Sequence, residues 1–96
     1  MLIDKGLSAG EVVSLKLTSG EEVVARLEEE SSTEYKISKP MVLSMGPQGI
    51  GMMPFMFTVD PEKTVAIEKT KVVVASATFK EFADQYLSGT TGIKLG

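Results

Sequence analysis

The chain has 96 residues, no Cys, His or Trp, and a formal charge of −3. That length fits a single domain, residues 1–96, whose own core is thin. The composition removes disulfides, thiolate or imidazole metal sites, and imidazole or thiol catalysis, so no cofactor and no metal is expected. The acidic balance argues against double-stranded DNA as a partner, since that needs a basic face. No apolar run reaches the about 20 residues of a membrane span, so no membrane partner is expected. Met1-Leu2-Ile3 is followed at once by Asp4 and Lys5, a pattern in which no secretory leader is expected, and the cytoplasm is the default location.

Val13, Leu15 and Leu17 alternate with Ser14, Lys16 and Thr18, the pattern of a half-buried strand. Ser19-Gly20 supplies a tight turn, and Val23, Ala25 and Leu27 continue the alternation as the second arm of a hairpin. Glu28-Glu29-Glu30, with Glu34 nearby, reads as a solvated strand end rather than a cation site. Ser31-Ser32-Thr33 is a polar break. Tyr35, Ile37, Met41, Leu43 and Met45 share one parity over a long third strand, in which Pro40 marks a bend or bulge.

Gly46 to Gly51 is a loop by composition and lacks the Lys and the following helix of a phosphate-binding loop. Met53 to Val59 is apolar on both parities, which predicts a strand covered on both faces, or on one face by another chain. Val65–Ile67 and Val72–Ala75 are two further short strands around Glu68-Lys69-Thr70-Lys71. Phe79, Phe82, Ala83, Tyr86 and Leu87 then follow helical spacing over about 78–88. Thr78 and Glu81 read as a capping box, and Gly89 as the stop. The remaining tail, 89–96, has no period and is expected to be mobile, with Ile93 and Leu95 available to a neighbour.

The pattern predicts an all-β fold, a small, strongly bent five-stranded antiparallel barrel over about 11–76, with the C-terminal amphipathic helix laid across one opening. Such a barrel leaves two unpaired edges, which head-to-tail pairing around a closed ring removes. Met53, Phe55, Phe57, Val72 and Val74 are the expected subunit contacts.

Gly10-Glu11-Val12-Val13-Ser14-Leu15-Lys16-Leu17-Thr18-Ser19-Gly20, followed by Val23 and Leu27, resembles the first signature of the Sm-like family, which includes the Sm, Lsm and Hfq proteins. Val65 to Val72 has the length of the family's second signature. The closest likeness is to small Sm-like proteins of marine cyanophages. The resemblance implies a homo-oligomeric ring of about five to seven subunits, leaning toward five. It also implies non-catalytic binding of single-stranded RNA, in a phage protein acting in the bacterial host cytoplasm. Ser31, Tyr35, Glu68 and Lys69 stand where the family carries Asp, Asn, Arg and Gly, so its usual uracil pocket is missing. The residues left to contact RNA are Tyr35 for base stacking and Lys36, Lys69 and Lys71 for phosphate. The competing reading is a structural or regulatory ring that binds protein.

Overall fold

The structure, a computed structural model, describes residues 7–91. The chain runs through β1 (Val12–Leu17), β2 (Glu22–Glu30), β3 (Glu34–Gly46), β4 (Gly49–Pro54), β5 (Val65–Glu68), a 3₁₀ turn at Lys69–Lys71, β6 (Val72–Ala77) and helix α1 (Lys80–Thr91). All strand pairs are antiparallel. The sheet order is β4-β3-β2-β1-β6, and β5 also pairs with β3.

The first hairpin forms as its alternation predicts. Gly20, at φ 107°, takes the turn conformation that a side chain would resist. Val13, Leu15, Val23, Ala25, Leu27 and Ile37 are fully buried in one cluster on the inner face of the sheet. The Ser31 hydroxyl accepts the amides of Thr33 and Glu34, which fixes the polar turn into β3.

Three expectations are corrected. The sheet has six strands, not five, and it is not closed into a barrel: among the described residues β4 bonds only to β3, and β6 only to β1. The curl is incomplete because β3 serves two partners in succession. Its first half pairs with β5 and its second half with β4, so the β3–β4 hairpin runs outward as an arm. The molecule is accordingly elongated, 46 × 26 × 25 Å.

Second, the long strand does not keep one parity. Arg26 pairs with Ser38 but Val24 pairs with Met41, so β3 carries an extra residue between them, at Lys39-Pro40. Lys39 sits at φ 50°, the left-handed region. The bulge exchanges the faces beyond it. Val42 joins the core, Met41 turns to the opposite face, and Met45 is 75% exposed. It also ends β4. Pro54 has no amide to give, the Phe55 amide reaches back to the Pro40 carbonyl at 2.9 Å, and residues 55–64 leave the sheet. Of the strand expected over 53–59, only Met53 and Pro54 therefore belong to a strand, the end of β4.

Third, the helix covers the outer face of the sheet rather than a barrel opening. Tyr86 is fully buried, and its hydroxyl donates to the carbonyl oxygens of Lys39 (2.6 Å) and Ser38 (3.4 Å). Val24, on the outward face of β2, is buried as well. The Thr78 hydroxyl pairs with Ser14 at 2.7 Å, and the expected capping box is not made. Helix α1 lies later than expected at both ends. Gly89 falls inside it, where the buried Thr90 hydroxyl donates to the Tyr86 carbonyl at 2.9 Å. Of the expected apolar stripe, Phe82 and Ala83 are half-buried, whereas Phe79 is exposed. The remaining tail residues, 92–96, with Ile93 and Leu95, lie outside the described residues.

Candidate nucleic-acid and assembly surfaces

Of the four residues expected to contact RNA, two meet. Tyr35 lies two register positions from the core residue Ile37 on the β3–β5 ladder, on the same face, and packs half-buried on the core. Lys69, in the turn after β5, places Nζ 5.0 Å from the centre of that ring. The backbone fixes this approach, because the Lys69 amide donates to the Thr33 carbonyl at 2.8 Å. Lys36, next to Tyr35 along the strand, points the other way, as strand alternation requires. Lys71 is exposed at the far end of the turn, where its carbonyl accepts the Thr18 amide.

The lysines at this surface do not stand in a positive field. Lys69 Nζ lies 2.6 Å from Glu30 Oε2, both about one-third exposed, and Lys36 Nζ lies 4.0 Å from Glu29 Oε1. Glu34 and Glu68 face each other across the β3–β5 ladder. Tyr35 and Lys69 thus share their face with Glu30, whereas Lys36, Glu29, Glu34 and Glu68 lie on the other face of the ladder, and of the three lysines only Lys71 has no side-chain partner among the described residues. An ion-paired lysine must give up its carboxylate before it can attract phosphate.

The expected assembly residues divide into two groups. Val72 and Phe55 are half-buried against the monomer's own core. Met53 on β4, Val74 on β6 and Phe57 beyond β4 are exposed, Phe57 to 77%. Ile50 and Val73 add to these edges and were not singled out from sequence. Ile50 lies in the stretch read as a loop by composition, and Val73 beside Val74 in the short strand expected over 72–75.

One feature had no sequence signal. A cavity of about 300 Å³ lies between the Lys39-Pro40-Met41 bulge, the 54–65 segment and Thr90 of α1. Met41, Pro54, Met56, Val59 and Val65 make its walls apolar. Backbone bonds tie the segment to the bulge at Phe55–Pro40 and at Lys39–Pro61. The Asp60 side chain accepts the Glu62 amide at 2.9 Å, closing the turn.

Among the described residues no group of three His, Cys, Asp or Glu is placed to hold a metal ion, and no helix is long and apolar enough to cross a membrane. No protein-family model matches the chain, and no curated protein matches it.

Proposed function

We propose that this chain is a non-catalytic assembly module of Sm-like type, whose copies join edge to edge into a closed ring. The observation that carries the reading is the pair of terminal strands, each bonded on one side alone among the described residues. β4 and β6 are each six residues long, lie at opposite ends of the strand order, and present exposed Met53 and Val74. Natural sheets cover such edges or pair them. Pairing β4 of one copy with β6 of the next satisfies both of these edges around a closed circle. The ring number favoured by the family resemblance is about five.

The ring's role is structural or regulatory, toward a protein surface. Two of the three lysines expected to attract phosphate are already paired, Lys69 with Glu30 and Lys36 with Glu29, which supports this over an RNA-binding role. A second reading, single-stranded RNA, keeps one specific observation in its favour. The Tyr35 ring with Lys69 above it is the aromatic-plus-cation pairing used to stack bases, and ring symmetry would repeat it.

Light scattering on the eluted protein tests assembly. The wild-type mass is expected at a multiple of 10.3 kDa, and Met53→Lys or Val74→Lys, by placing charge on an edge, is expected to reduce it. A wild-type monomer at micromolar concentration overturns the proposal. Filter binding with uridine- and adenosine-rich oligomers over a salt series decides the ligand: a salt-sensitive dissociation constant below about 10 µM selects RNA.

A further inference from the structure

The 55–64 segment carries an exposed ring and an apolar cavity side by side. Phe57 borders the cavity with one edge while most of its surface faces solvent, and Met56 beside it is also exposed. Phe57 lies past the end of β4, so strand pairing along that edge does not cover it. The rim holds charges of both signs in equal number, Lys39 and Lys63 against Asp60 and Glu62. Lys39 Nζ reaches Glu62 at 3.7 Å, whereas Lys63 has no ion-pair partner among the described residues.

A two-fold contact requires one patch to offer both a protrusion and a recess and charges of both signs, and this patch offers all of them. We infer that this surface docks a second copy of the chain two-fold, the Phe57 ring of each copy entering the cavity of the other. Lys63 of each then faces Asp60 and Glu62 of its mate. A net-charged small ligand fits less well, because the rim offers no surplus of either sign. The contact is separate from the β4 and β6 edges, so it joins two rings face to face or, without rings, makes a simple pair. Either way the number of chains is even.

Light scattering on the full chain at roughly 10–100 µM, a range in which pairs of modest affinity form, reads this directly. The wild-type mass is expected at an even multiple of the chain mass, and Phe57→Asp is expected to halve it without lowering the melting temperature. Lys63→Glu is expected to weaken pairing about tenfold by like-charge repulsion, and Lys63→Glu combined with Glu62→Lys to restore it. Should Phe57→Asp fail to fold, Thr58→Cys in this cysteine-free chain is expected to give a disulfide-linked pair under mild oxidation; purely monomeric bands overturn the inference. An odd multiple for the wild type overturns it, as does a mass that Phe57→Asp leaves unchanged. An unchanged mass with a naphthalene sulfonate dye bound in the cavity assigns the cavity to a small molecule instead. The edge proposal fails independently: a wild-type pair that Phe57→Asp splits into monomers refutes rings and supports the Phe57 contact.

Discussion

Lys39 adopts a backbone conformation that costs a non-glycine residue about 1–2 kcal/mol. It is held there by three bonds: the Tyr86 hydroxyl on its carbonyl, its own amide on the Pro61 carbonyl, and its ion pair with Glu62. Lys39→Gly removes the strain and is expected to change stability by less than about 1 kcal/mol, since glycine's added unfolded-state entropy offsets the gain. Lys39→Val places a β-branched residue at positive φ and is expected to cost about 2 kcal/mol or more in urea unfolding. Tyr86 is the residue that depends most on the bulge. Tyr86→Phe is expected to cost about 1–2 kcal/mol by leaving the Lys39 carbonyl unpaired. Burial pushes the Tyr86 phenol above its ordinary 10.0, because the charged form would lose its hydration. The folded state therefore holds its proton where the unfolded chain releases it, and stability is expected to fall as pH rises past about 10. Tyr86→Phe flattens that limb of a denaturant-midpoint-against-pH curve.

The strands differ in how plainly the sequence declares them. β1 and β2 are readable because the period-two signal, the Gly20 turn and the burial all agree. The burial of Val24 is not readable, since it faces away from the main core and is covered only once α1 arrives. In β3 Pro40 marks the bulge, but the exchange of faces beyond it is not readable, because a lysine, not a glycine, takes the left-handed conformation there. Read with unbroken alternation, Met41 takes the place that Val42 occupies. The helix start misleads for a different reason: Thr78 spends its hydroxyl on Ser14, 64 residues away in the chain. The Tyr35–Lys69 meeting rests on the short turn after β5, whereas the cavity draws on three distant segments and has no local pattern. The packing yields a ranking. Leu15→Ala, in the closed cluster, is expected to cost about 2–5 kcal/mol. Phe79→Ala is expected to cost under about 1 kcal/mol because its ring is 64% exposed.

For the whole molecule, the thin core and the free borders point the same way. A single copy leaves Met45, Ile50, Met53, Val73 and Val74 in water along β4, β6 and the arm. Association through such surfaces rests on apolar burial and backbone hydrogen bonds, so the assembled mass is expected to persist between about 0.1 and 1 M salt. RNA binding through Lys71 and the paired lysines would weaken steeply over the same range. Measuring both on one sample separates the assembly from its ligand.

The ladder between β1 and β6 carries a kinetic consequence. Val13 is matched with Ala77, so one flank of the first strand stays bare until nearly the whole domain has been synthesised. During that interval a β6 from another molecule fits as well as the chain's own, which invites exchange between nascent copies. Renaturation from urea should then lose yield as protein concentration rises, while the unfolding rate stays constant.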